Sequence, residues 1–184
     1  MDTITLPFIT YVIVTTFTPG PNNVAAAAAG IKIGYRKSLS FLLGIVAGFC
    51  LVMLLSGYFN YALHSRYATI AFYIKWIGFF YMLWLCLSLF LHPAKDGKAE
   101  AGKVETGTYT PIAGLLLQLV NPKVILYGIT LYGMFSSALL STFWTVLASA
   151  AALSVVGFIS VTTWCLAGSA LTLWLGNRRN QLFF

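Results

Sequence analysis

Stretches of about 20 apolar residues recur along the chain, each long enough to cross a hydrocarbon core of roughly 30 Å as a helix. Four are clear, at residues 38–59, 69–91, 112–135 and 141–166. A fifth, at residues 4–31, comes first and is interrupted by Pro19-Gly20-Pro21-Asn22. At about 1.5 Å per residue, a straight helix of that length overshoots the hydrocarbon core. Two half-helices meeting inside the membrane fit it better. The pattern predicts an all-α fold, a polytopic membrane helix bundle.

Between the third and fourth spans lies a polar segment, residues 92–110, holding Lys95, Asp96, Lys98, Glu100, Lys103 and Glu105. It divides the chain into a first three-span repeat (1–91), a solvated linker (92–110) and a second repeat (111–184). The loop after span one carries Lys32, Arg36 and Lys37, the linker three lysines, and the segment after span five Arg178 and Arg179. These eight positives fall on one face of the membrane, against Arg66 alone on the other. The positive-inside rule then places the linker in the cytoplasm and the N-terminus outside. Asp2 precedes the first apolar run and no Lys or Arg does, so the run lacks the charged start of a signal peptide and is expected to be retained.

Composition agrees with the pattern. Hydrophobic residues make up 59% of the 184 and charged residues 8%, against roughly 25% charged in a soluble domain; the mean hydropathy is +0.86. This excludes a soluble globular domain, a disordered chain and a disulfide scaffold. The net charge of +7 is read as topology rather than as a nucleic-acid surface. Cys50, Cys86 and Cys165 each stand alone in apolar runs and read as small packing residues.

Breaking a helix inside a bilayer strands backbone N–H and C=O groups, which is tolerated only where protein, water or a ligand satisfies them. Span one has such a break at Thr18-Pro19-Gly20-Pro21-Asn22-Asn23, and span four at Gln118-Leu119-Val120-Asn121-Pro122-Lys123. Their positions correspond if the protein is a 3+3 inverted repeat, and paired interruptions of this kind point to a midplane transport site. Pro21 suits the first turn of a new half-helix, whose free N–H groups and positive dipole end can receive a carboxylate. Asn22, Asn23 and Asn121 offer donors and acceptors without fixed charge, as a zwitterion requires. The candidate substrate-binding residues are therefore Pro19, Gly20, Pro21, Asn22, Asn23, Gln118, Asn121, Pro122 and Lys123.

Some assignments are weaker. Gln118 by itself fits helix–helix hydrogen bonding better than substrate contact. Lys123 would be costly in lipid and is expected at a cavity, a carboxylate or the interface. Lys75 can snorkel, and His64 and His92 have no partner for metal or proton work. Gly44-x-x-x-Gly48 and the alanine run 25–29 have the small-residue spacing of close helix packing. Tyr58, Phe59, Tyr61, Tyr67, Phe72, Tyr73 and Trp76 resemble an interfacial belt.

The stretch Thr18-Pro19-Gly20-Pro21-Asn22, followed by Gly30-x-x-x-Gly34 and Gly44-x-x-x-Gly48, resembles the opening signature of the LysE/RhtB superfamily of amino-acid exporters. Val120-Asn121-Pro122-Lys123 matches that family's second motif. Residues 18–23, 48–55 and 117–128 are similar to the cysteine/O-acetylserine exporter branch. The resemblance implies an inner-membrane exporter driven by the proton gradient, with six spans; against that pattern the chain reads as one span short. Basic-amino-acid exporters of the superfamily often carry an acidic residue in span two after the second glycine, whereas here Phe49 follows Gly48. All four acidic residues lie outside the spans, which argues for a small neutral substrate over lysine or arginine.

The expected partners are an amino-acid substrate and the lipid bilayer, with a homo-oligomer left open and no nucleic acid; no cofactor or metal is expected. Threonine and homoserine are alternative substrates, and a passive channel or structural membrane protein is the alternative class. An intramembrane enzyme fits poorly, because no Asp, Glu or His lies in a span core.

Overall fold

A computed structural model describes residues 5–62, 109–135 and 142–176, all in helices or the short joints between them. The helices are α1 (Thr5–Phe17), α2 (Pro21–Ala62), α3 (Pro111–Leu119), α4 (Pro122–Met134) and α5 (Phe143–Gly176). The third expected span at 69–91, all of the linker except Tyr109 and Thr110, and Arg66, Lys75, Cys86, Arg178 and Arg179 lie outside the described residues. So do His64, His92 and the belt residues Tyr67, Phe72, Tyr73 and Trp76.

Polarity is distributed as a bilayer demands. Leu6, Ile112, Leu116, Val120, Met134, Trp144 and Val155 stand exposed, while Asn23, Ser38, Asn60, Gln118, Asn121, Ser154 and Ser160 are buried. Lipid accepts apolar side chains, whereas a polar group needs a protein partner there. By length and composition α2 and α5 are each long and apolar enough to cross a membrane, as is the α3–α4 pair, bent by 59°, if counted as one broken span; α2 does not cross as one straight helix, because it is interrupted at Gly34.

One expectation is corrected here. The loop expected at Lys32, Arg36 and Lys37 between spans one and two is instead a single non-helical residue with helix on either side. The chain turns back at a single residue, Gly34, whose φ of 76° and ψ of 162° lie in a region essentially closed to side chains other than glycine's. The reversal shows in the neighbours of α5. Before Gly34, the chain passes Ser160 at Asn23, Gly168 at Ala27 and Thr172 at Ile31, running parallel to α5. After it, Phe49 meets Gly157 and Gly57 meets Val146, running antiparallel. A 42-residue helix would be about 60 Å long at 1.5 Å per residue, so the turn at Gly34 is what fits α2 to a bilayer.

Glycines set the close approaches. A Cβ at Gly44 would overlap the Pro111 carbonyl, and one at Gly48 would sit 2.7 Å from the Leu115 carbonyl oxygen. The Gly44-x-x-x-Gly48 stripe therefore seats the second half of α2 directly on α3, as its spacing predicts. Gly30 and Gly168 do the same between α2 and α5, against Cys165 and Ala27. Ala26 and Ala29 are fully buried in that contact. α5 runs ten residues beyond the expected end at 166.

Elements that begin or end near the charged segments gather at one end of the bundle. Tyr109 packs edge-on against Phe41 (5.2 Å, 76°), Pro111 meets Gly44, and Thr172 reaches Ile31. Burial raises the Tyr109 phenol above its ordinary pKa. The turn with Lys32, Arg36 and Lys37 thus shares an end with the close of the linker and of α5.

Candidate functional site

Both expected breaks are present. α1 ends at Phe17 and α2 begins at Pro21; α3 ends at Leu119 and α4 begins at Pro122. Each proline stands at the first helical position, where its missing N–H costs nothing. α1 and α4 cross antiparallel, with Phe8 against Phe135, Tyr11 stacked on Tyr127 (5.6 Å, 3°), and Thr18 against Lys123. The crossing brings the two breaks together.

The last carbonyls of a helix have no intrahelical donor. At the end of α1, side chains from three other elements supply them. Asn23 Nδ2 donates to the carbonyls of Thr16 and Thr18, each at 3.0 Å. Ser160 Oγ also donates to Thr16 O at 2.9 Å, and Trp164 Nε1 to Phe17 O at 3.2 Å. Lys123 Nζ donates to Thr18 O at 2.8 Å, placing a cation at the negative end of the α1 dipole. The Thr18 hydroxyl turns back to the Val14 carbonyl.

An amide chain ties the second break to the first. Asn121 Oδ1 accepts from the Lys123 N–H at 3.0 Å and so caps α4. Its Nδ2 donates to Asn22 Oδ1 at 2.7 Å, and Asn22 Nδ2 donates to Gln118 Oε1 at 2.9 Å. Gln118 is fully buried and its Nε2 has no partner. The structure thus joins Gln118 to the break residues through an interhelical hydrogen bond.

Around these groups lies a narrow cavity of about 40 Å³, partly open to its surroundings. Gly20, Pro21, Asn22, Asn23, Asn121 and Lys123 line it on the polar side. Ile45, Val46, Phe49, Val124 and Val161 form an apolar wall. Of the sequence candidates, Pro19, Gln118 and Pro122 are not in the lining; the two prolines shape the joints and Gln118 backs Asn22. Lys123 reaches the cavity as expected. A Cβ at Gly20 would stand 2.9 Å from Lys123 Cδ, so glycine there leaves room for the lysine stem.

Three residues of the site carried no signal in the sequence. Ser160 and Trp164 lie in α5, which is apolar on all sides and offers no face to read. Tyr127 follows Lys123 by one helical turn and also lines the cavity. Among the described residues no group of His, Cys, Asp or Glu could hold a metal ion, and no carboxylate is in the cavity lining.

Over 161 residues the chain is 35% identical to the cysteine/O-acetylserine efflux protein of Salmonella paratyphi A, covering 88% of this chain and 80% of that one. Its counterpart of the same name in Escherichia coli K12 is 31% identical with the same coverage. No solved structure matches the chain. Residues 13–183 match the model of the LysE type translocators. Paired breaks, buried amides and a match over nearly the whole chain agree, and the chain belongs to the LysE translocator family.

Proposed function

We propose that this protein is a secondary exporter of small neutral amino acids or related metabolites, with cysteine and O-acetylserine its best candidates. The observation that carries the reading is the meeting of two broken helices around an amide-lined cavity with no carboxylate among the described residues that line it. Amides and helix ends suit a zwitterion, while a lysine or arginine side chain would find no counter-charge there. The names borne by the Salmonella and E. coli relatives favour cysteine and O-acetylserine. The antiparallel crossing of α1 and α4 supports a 3+3 inverted repeat, with alternating access between the repeats. In this reading the protein lies in the bacterial inner membrane, N-terminus outside and linker cytoplasmic, and export is coupled to the proton gradient.

Overproduction of the protein in a bacterial host, with extracellular cysteine, O-acetylserine, threonine and homoserine measured, tests the function. A rise in cysteine or O-acetylserine is expected, lost in Asn22→Ala although that variant still reaches the membrane. A rise confined to threonine or homoserine would move the substrate assignment, and no rise in any of the four would overturn the exporter reading. Flux into proteoliposomes separates carrier from channel: saturable, gradient-coupled flux is expected, and flux that never saturates would indicate a pore.

A further inference from the structure

Lys123 and Tyr127 stand at i, i+4 on α4, a spacing that puts both on one face, and both line the cavity. Tyr127 is 4% exposed, and its hydroxyl has no hydrogen-bond partner among the described residues. Thr16 lines the cavity with it. The ring is held between Tyr11, stacked at 5.6 Å, and Phe49 at 5.9 Å. A donor fixed in position, buried and unused calls for a ligand. Among the described residues that line the cavity, Lys123 alone carries a formal charge.

The carbonyl acceptors at the end of α1 are already engaged. Thr16 O receives Asn23 and Ser160, and Thr18 O receives Asn23 and Lys123. Donors are therefore in surplus, and a ligand that completes the site brings acceptors and negative charge. We propose that Lys123 and Tyr127 form the receptor for the substrate's carboxylate, which competes with the Thr18 carbonyl for the Lys123 ammonium. This deepens the exporter reading and rests on it. A carboxylate is a stronger acceptor than a neutral carbonyl, and Thr18 O keeps its bond from Asn23 after the exchange. The bare backbone of Gly20 leaves the track along which the lysine stem moves. Loading the site thus releases the cationic tie from Lys123 to Thr18 O between the breaks of spans one and four. The same ammonium reads the substrate and unlatches the two helices.

The test uses purified full-length protein under reducing conditions, with radiolabelled L-cysteine displaced by unlabelled L-cysteine, cysteamine or cysteine methyl ester. Hydrogen bonds to charged groups predict that the amine and the ester compete about 10- to 100-fold more weakly than the acid. Tyr127→Phe keeps the ring packing and removes only the unused hydroxyl. It is expected to weaken cysteine binding about fivefold with no loss of thermal stability. Lys123→Gln is expected to weaken cysteine binding at least about tenfold and to erase the preference for acid over ester, and Lys123→Arg to restore part of both. Equal competition by acid, amine and ester would overturn the proposal without use of any variant. So would unchanged cysteine binding in Tyr127→Phe and Lys123→Gln, or no cysteine binding by the unaltered protein. Cysteine flux in proteoliposomes is the separate arm. Carboxylate-dependent binding without flux would overturn the exporter reading and leave the receptor standing.

Discussion

Replacing Asn121 by alanine removes two interactions at once, and a second substitution separates them. Asn121 Oδ1 caps α4 through the Lys123 N–H at 3.0 Å, and its Nδ2 reaches Asn22 Oδ1 at 2.7 Å on the other broken span. Loss of a side-chain cap costs about 1 kcal/mol. An interhelical side-chain bond within a membrane averages about 0.6 kcal/mol and reaches about 1.7. Asn121→Ala is therefore expected to destabilise the fold by about 2 kcal/mol. Serine retains an oxygen able to cap but is too short to reach Asn22. Asn121→Ser should lose only the interhelical part, leaving a gap of about 1 kcal/mol between the two variants.

Denaturant unfolding in mixed micelles, followed by circular dichroism, measures both, with cysteine efflux assayed in parallel. Asn22→Ala completes a double-mutant cycle with Asn121→Ala, and the coupling should match the interhelical bond, about 0.6–1.7 kcal/mol. Asn22→Ala also takes from the fully buried Gln118 its bond at 2.9 Å. It should therefore cost more alone than the coupling accounts for. Equal losses in Asn121→Ser and Asn121→Ala would refute the capping argument. A coupling indistinguishable from zero would refute the tie between the breaks.

Gly34→Ala forces a side chain into a φ of 76° and is expected to cost about 1–3 kcal/mol, whereas Gly157→Ala, whose new Cβ would meet Phe49 at 3.6 Å, should unfold at nearly the native denaturant concentration. Gly44→Ala and Gly30→Ala overlap the backbone of Pro111 and Cys165 and should lower folded yield in the membrane. Normal yields of both variants would mean that these helices do not pack so closely. For orientation, Lys37→Cys should react with an impermeant maleimide only in inside-out vesicles and Tyr61→Cys only in intact spheroplasts; the reverse pattern would invert the topology.

The apolar runs made the helices among the described residues legible, and the Pro-Gly and Asn-Pro interruptions made the breaks legible to within about two residues. Both signals are local: a proline cannot continue a helix without losing a hydrogen bond, whatever surrounds it. The reversal at Gly34 was not legible as a one-residue turn, because Ile31, Ile33 and Tyr35 beside Lys32, Arg36 and Lys37 suit a helix and a loop equally. Only the backbone conformation shows which glycine turns the chain. Ser160 and Ser154 illustrate the other limit. Both sit in the same apolar helix, yet one bonds the Thr16 carbonyl across the bundle and the other its own helix at Ala150. The sequence displays the hydroxyls, and the tertiary packing chooses their acceptors.

The two breaks resemble each other in sequence but are finished differently, and the difference bears on where a ligand sits. Each new half-helix starts with a proline, and the residue before it decides the cap. At α4 that residue is Asn121, whose side chain satisfies the Lys123 N–H. At α2 it is Gly20, which has no side chain with which to cap the helix and lines the cavity together with Pro21, Asn22 and Asn23. The opposing end of α1 is amply supplied by Asn23, Ser160, Trp164 and Lys123. Closed carbonyls on one side and an uncapped helix start on the other give the cavity a donor-rich polarity. That polarity agrees with the carboxylate end of a zwitterion lying toward α2, Lys123 and Tyr127. It follows from exchanging one asparagine for one glycine before a proline.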